Sequence, residues 1–353
     1  MHHILIIIGS MPIPRPNATR RALLTWYSRS RRDLPWRRTR DPYRIWVSEI
    51  MLQQTTVRAV IPYYRRFLRR FPTLRSLSRA RLPSVLAAWS GLGYYRRARH
   101  LHAAARMIVR DSGGRFPRAI DDLLDLPGIG RYTAGAILSI AFGQHHPVLD
   151  GNIARVLARW RLLRGDPASS AMLRRLWDLA TTLVTGAAAP GDLNQALMEL
   201  GATVCTPVAP GCSACPVRRG CMARIAGAQE RIPLPRRRRE PIVVRSAVAL
   251  VTRDGRCLVR RRGRTGLLDG MWELPALDDG AGAGDLRLRR GPRLTTVRHT
   301  ITYRRMLVDV HRAHLLAEPR GSDFRWIRPG RPGRLPSSSL LGKVFASLDA
   351  GRV

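Results

Sequence analysis

One stretch, residues 126–159, constrains the fold more than any other: LPGIGRYTAGAILSIAFGQHHPVLDGNIARVLAR. Asp121, Asp122, Leu123 and Leu124 close a short helix, Pro127, Gly128 and Gly130 interrupt it, and Ala134, Ile137, Leu138 and Ala141 recur at helical spacing. The pattern predicts two helices joined by a tight hairpin. Its two glycines are expected to adopt backbone angles closed to other residues, so that the N–H groups around Gly128 and Gly130 turn outward as a nest for a phosphate. LPGIG alone fits an ordinary glycine-capped helical hairpin equally well. About twenty residues further on, Asp150, followed by Gly151 and Asn152, places a carboxylate at the start of a third helix. Such an aspartate is as often a plain N-cap as a reactive group.

The charge balance narrows the partner. Lys and Arg number 62 against 24 Asp and Glu, a net charge of +38, and so large a surplus calls for a polyanion, nucleic acid first. Only one of those cations, Lys343, is a lysine. At 353 residues with 45% hydrophobic content, two or three domains with true cores are expected. Four of the five cysteines fall between Cys205 and Cys221, which is a ligand set rather than a disulfide framework and points to a reducing compartment. The apolar run from Ile4 to Ile8 is too short to span a bilayer or to serve as a signal peptide, so no membrane association is expected. Residues 1–16 read as an N-terminal extension, with Met11 an alternative start.

From the N-terminus, residues 17–36 read as a helix, and Asp41 with Pro42 opens another. That second helix, YRIWVSEIMLQQT, carries Glu49 among Ile45, Trp46, Ile50 and Leu52. An isolated helical glutamate is usually solvated. One half withdrawn from water among apolar neighbours has a raised pKa and can hold a proton near neutrality, as a general acid must. From Cys205 the spacing is C-x6-C-x2-C-x5-C, ending at Cys221 through Cys212 and Cys215. Four thiolates in one short loop can wrap a single cluster, whereas a zinc ribbon offers two separated C-x2-C pairs. Cys257 stands apart as packing, and His145 and His146 read as structural.

SEIMLQQT, GLGYYRRAR, LPGIGRYTAGAIL, LDGNIARVL and the cysteine set, in that order, resemble the MutY-type adenine DNA glycosylases of the helix-hairpin-helix glycosylase superfamily. The match is dense over residues 17–224 and looser beyond. The resemblance implies that Glu49 protonates N7 of a flipped adenine, that Asp150 stabilises the cationic sugar, and that Tyr132 and Asn152 assist in the same pocket. It implies that Gln54, Leu92 and Tyr94 wedge into the duplex, and that Cys205, Cys212, Cys215 and Cys221 hold a 4Fe-4S cluster. The alternative for Tyr94 and Tyr95 is core packing.

Residues 225–241 have the proline and charge run of a linker. The pattern then turns to β, with two alternating segments around Asp254 and Gly255 predicting a hairpin, more strand in ITYRRMLVDVHRAHLL, and a last helix after Ser337. Residues 242–353 resemble the Nudix-like domain of the same family, including GLLDGMWELP near residue 270, without the glutamate box of Nudix hydrolases. In that family the domain reads 8-oxoguanine opposite adenine through a loop that commonly reads Phe-Ser-His. The matching positions here are Ile301, Thr302 and Tyr303, which makes Thr302 and Tyr303 the candidate lesion readers and departs from the family pattern.

The expected protein is therefore multidomain: an all-α helix-hairpin-helix glycosylase domain with an iron-sulfur loop (205–221), a basic linker, then an α+β Nudix-like domain. Its expected activity is monofunctional excision of adenine from A:8-oxoguanine or A:G pairs in double-stranded DNA, by a monomer, in a bacterial cytoplasm at the nucleoid. Two alternatives stand beside it. An endonuclease III-type glycosylase/lyase needs an amine where this chain has Tyr132. A non-catalytic DNA-binding protein leaves Glu49 and Asp150 without a role, and carboxylates facing DNA are costly.

Overall fold

The computed structural model describes residues 16–234, 240–263, 268–277, 286–319, 321–329 and 335–350. The expected N-terminal extension up to residue 15 and residues 235–239 of the expected linker lie outside the described residues. Described residues form two compact units, one of residues 16–64, 73–75 and 103–234, the other of residues 65–72, 76–102 and 240–350.

The helices are α1 (Pro16–Ser30), α2 (Pro42–Leu52), α3 (Val57–Arg70), α4 (Leu74–Arg79), α5 (Leu82–Trp89), α6 (Tyr95–Ser112), α7 (Ile120–Leu124), α8 (Arg131–Phe142), α9 (Gly151–Trp160), α10 (Ser170–Val184), α11 (Pro190–Thr203), α12 (Met222–Ile225) and α13 (Ser339–Ala350). The first unit is built around α8. Its residues from Thr133 to Ile140 are all buried, as a helix that is apolar or small on every face must be, and it packs against α2 and α11. Gly135 lets it lie close to the next segment: a Cβ there would sit 2.3 Å from the Pro147 carbonyl oxygen. Gly143, in the left-handed region at φ 69°, ends α8. The N–H groups of Gly143 and Gln144 return to Ser139 and Leu138 oxygens, closing a Schellman cap.

The expected hairpin joins α7 to α8. Gly128 takes the left-handed conformation, with φ 79°. Gly130 does not: it is the N-cap of α8 with φ −105° and ψ 178°, so its glycine identity answers no backbone demand. Between them Ile129 is buried and both glycines are exposed.

Unit two carries the strands β1 (Ile242–Leu250), β2 (Thr252–Arg253), β3 (Arg256–Arg261), β4 (Trp272–Glu273), β5 (Leu288–Ile301), β6 (Arg304–Leu315) and β7 (Phe324–Ile327). One sheet has the order β1-β6-β5; in the other β3 pairs with β2, β4 and β7. The turn at Asp254 and Gly255 forms as expected, both at positive φ, the geometry of a type I′ turn. Its arms differ from expectation. Only Thr252 to Arg253 pairs with Arg256 to Cys257, while β1 runs parallel to β6 along its whole length. Alternation dictates which face a strand buries and leaves its partner open. α13 closes the β1-β6-β5 sheet, with Leu341, Val344 and Phe345 against Val297, Val308 and Val310. No helix among the described residues is long and apolar enough to cross a membrane.

Candidate active site and cysteine loop

Asp41 accepts from the Tyr43 N–H at 2.9 Å and Pro42 follows at the first helical position, which fixes where α2 starts and hence which way Glu49 points. Every residue from Ile45 to Met51 is buried, so this part of α2 has no solvated face on which a carboxylate could rest. Glu49 is 5% exposed. It faces a cavity of about 600 Å³ within the first unit, which is also lined by Gln54, Tyr132, Asp150 and Asn152. Burial pushes the Glu49 carboxyl up to about 7, against the opposing pull of the Tyr132 hydroxyl and with a push from Asp150. Glu49 therefore holds a proton over much of the neutral range. The Tyr132 phenol, raised well above its ordinary value by burial and by Glu49 and Asp150, stays neutral and lies 3.6 Å from the Met198 sulfur.

Asp150 is the N-cap its sequence context allowed, and it also lines the cavity. Oδ1 accepts from the Ile153 N–H at 2.8 Å as the N-cap of α9, and Oδ2 accepts from Asn152 Nδ2 at 3.2 Å. Capping fixes the carboxylate while its other edge borders the cavity. Arg155 then continues the chain of bonds: it donates to Asn152 Oδ1 at 3.0 Å, to the Gly201 carbonyl at 2.7 Å and, through Nε, to the Cys205 carbonyl at 2.8 Å. A continuous hydrogen-bonded path thus joins Asp150 to the cysteine loop. Gly201 is required for it, since a Cβ there would lie 2.7 Å from Asn152 Cβ.

Three residues of this cavity escaped the sequence reading. Glu199, on α11, is fully buried. Its Oε1 accepts from the Arg32 N–H and Nε and its Oε2 from Arg32 at 2.7 Å and Arg37 at 2.8 Å. Burial raises the Glu199 pKa, but the bonds from Arg32 and Arg37 more than offset that and hold it at about 2. Glu199 is thus a permanent anion that positions two cationic wall residues, and Arg37 lowers the pKa of Glu49. The cue existed: Glu199 sits in ALMELGA, an acid in an apolar helix, as Glu49 does.

Cys205, Cys212, Cys215 and Cys221 are free thiols that surround one small cavity together with Arg159, Arg218, Arg224 and Gln229. Among the described residues no three His, Cys, Asp or Glu side chains converge on a point fit for a single metal ion; the sulfurs ring a space. Arg159, itself buried, straps the loop: it donates to the Thr206, Pro207 and Ile232 carbonyls and lies 3.4 Å from Cys205 Sγ. Burial pushes the Cys215 thiol up to about 11. Gln229 Oε1 is buried without a hydrogen-bond partner at the edge of the same space. Four soft donors, neighbouring guanidiniums and an unspent amide fit a thiolate-ligated anionic cluster.

The remaining candidate residues lie in the second unit. Leu92 is buried and Tyr94 is exposed, with φ 51°. The Tyr95 hydroxyl accepts from the Gly91 N–H at 3.1 Å and donates to the Ser337 carbonyl at 2.8 Å, which makes it a structural aromatic. Tyr94 and Thr302 line one cavity of about 440 Å³ together with His299. Thr302 and Tyr303 form the two-residue turn between β5 and β6, with Ile301 paired to Arg304 and Thr302 at φ 56°. Tyr303 is not among the residues lining that cavity; its carbonyl accepts from the Ile242 N–H, and its ring lies against the Arg304 guanidinium.

Residues 47–181 match the model of the HhH-GPD superfamily base excision DNA repair proteins, and residues 247–347 match a NUDIX domain. The adenine DNA glycosylase of Schizosaccharomyces pombe is 33% identical over 321 residues, which cover 74% of this chain and 69% of that protein. The chain belongs to the adenine DNA glycosylase family. The Homo sapiens member of the family is 52% identical over 224 residues, covering 61% of this chain and 41% of its own length; the chain spans less than half of that relative. Among solved structures, a thermostable thymine-DNA glycosylase superposes with a TM-score of 0.54 at 32% identity, over 60% of this chain and 97% of its own. Relatives named for two different bases share this fold.

Proposed function

We propose that the chain removes adenine from duplex DNA by hydrolysing its N-glycosidic bond, as a monofunctional glycosylase acting on adenine opposite 8-oxoguanine or guanine. The single observation that carries this reading is the convergence of a proton-holding Glu49 with Asp150 and Tyr132 in one cavity. A purine extruded from the helix has access to a proton donor on one side and a fixed anion on the other. Glu49 gives its proton to N7 of adenine; the electron pair of the C1′–N9 bond leaves with the neutral base, and positive charge develops on the sugar. Asp150, held by Ile153 and Asn152, stabilises that charge. Water adds to C1′, and its proton returns to the Glu49 carboxylate. Arg37, anchored by Glu199, forms part of the wall that meets the base.

Lyase chemistry through a Schiff base needs an amine, and Tyr132 stands where such enzymes place one. Lys343, the one lysine of the chain, lies on α13 in the other unit. The four cysteines are proposed to hold a 4Fe-4S cluster, which when bound cross-links the loop that Arg155 ties to Asp150. Thr302 and Tyr94 are proposed to read the base opposite adenine.

Glu49→Gln and Asp150→Asn test the assignment directly. Each is expected to slow single-turnover adenine release by on the order of a hundredfold or more while duplex affinity changes little. Unaltered release in either variant would remove that residue from the chemistry.

A further inference from the structure

The second unit holds a cavity of about 1020 Å³, larger than the catalytic one, to which none of the roles above assigns a ligand. Its lining carries the guanidiniums of Arg81, Arg99, Arg261, Arg262 and Arg325 against only two carboxylates, Asp269 and Asp323. Three of these arginines are held by neighbouring acceptors, two of them on the cavity wall itself. Arg99 donates to the Asp269 carbonyl at 2.8 Å, Arg261 to Asp323 through Nε at 2.9 Å, and Arg262 to Glu273 at 2.9 Å. Each spends only part of its five N–H donors on these bonds. Among the described residues Arg81 and Arg325 pair with no carboxylate; Arg325 lies over the Trp272 ring at 5.3 Å. Like charges gathered in a concave wall repel one another and focus a positive potential into the space between them. That arrangement is stable in the company of an anion, and preorganised guanidinium forks match phosphate oxygens.

We propose that this cavity binds phosphate groups, presented either by a free nucleoside polyphosphate or by the backbone of a nucleic-acid strand. Arg99 and Asp269 also border the cavity of Tyr94 and Thr302, so an occupant shares a wall with the proposed reading site without depending on that site's role.

The test uses the full chain and two charge-matched variants: Arg81→Gln with Arg325→Gln, and, as a control on the exposed face of α10, Arg174→Gln with Arg175→Gln. All four residues are exposed, and circular dichroism checks that both variants fold. Calorimetric titration with inorganic tripolyphosphate and with dGTP measures the free ligand; duplex affinity against salt measures the backbone. Tripolyphosphate binding is expected to weaken at least tenfold in the cavity variant and less than twofold in the control. If free nucleotide is the occupant, dGTP binding falls alike and the salt slope for DNA is unchanged. If the strand is the occupant, tripolyphosphate competes with duplex and the slope shrinks by about one per lost phosphate contact. Equal losses in the two variants, or no binding of either free ligand with an unchanged slope, would overturn the proposal.

Discussion

Replacing Glu49 by glutamine should make the first unit more stable, and by an amount that depends on pH. The carboxyl sits near 7 in the fold against an ordinary value of 4.5. Between these values the folded chain keeps a proton that the unfolded chain has released, so the folded state is favoured at low pH and loses ground as pH rises. The difference of about 2.5 units at 1.36 kcal/mol each corresponds to about 3 kcal/mol of stability forgone once both states are ionised, above about pH 8. Glutamine has nearly the same shape and cannot ionise. Urea unfolding of wild type and Glu49→Gln, followed by helical circular dichroism at pH 5.0 and pH 8.5, should show a small difference at the lower pH and a gain for the variant approaching about 3 kcal/mol at the higher. The same titration should appear in catalysis, with wild-type adenine release falling as pH rises through 7. A stability difference identical at the two pH values would refute the reasoning, because the carboxyl would then not carry a perturbed proton at all.

The opposite sign is expected at Glu199, whose pKa is depressed to about 2: its contribution is present above about pH 4.5 and lost as pH falls through 2. Glu199→Gln should therefore cost about 3 kcal/mol at pH 7 and less than half that at pH 3, read from urea midpoints. Arg159→Ala leaves the Thr206, Pro207 and Ile232 carbonyls without this donor; iron per chain and cluster absorbance in purified protein should both fall, whereas iron content equal to wild type would show that the strap is dispensable. Thr302→Ala should lower the ratio of adenine release opposite 8-oxoguanine to release opposite guanine in single-turnover assays, and Tyr303→Ala should lower it less, because Thr302 lines the cavity with Tyr94 and Tyr303 does not.

How much of this was legible in the sequence varies with how local the physics is. The α7–α8 hairpin, the Asp41 cap of α2 and the turn at Asp254 and Gly255 follow from residues within a few positions of one another, and each formed where expected. Glu49 was visible because its neighbours on the helix are apolar. Glu199 gave the same signal, but its meaning lies in Arg32 and Arg37, some 160 residues away in the chain, and no spacing rule connects them. The partner of β1 was hidden for a similar reason: alternation assigns faces, whereas the parallel pairing with β6 depends on the whole sheet. Gly130 misled in the other direction, a glycine in a hairpin without a conformational need for one. Thr302 in the left-handed region carried no local cue, since threonine seldom adopts it.

The central claim, that this cavity excises adenine without lyase chemistry, meets its most direct test in a single-turnover assay with iron-replete protein. Duplexes carrying adenine opposite 8-oxoguanine and adenine opposite guanine are followed for base release, with borohydride present in a parallel reaction. Release of free adenine with no covalent protein–DNA adduct is the predicted result. A borohydride-trapped adduct, or duplex binding with no adenine released from either substrate, would contradict the account.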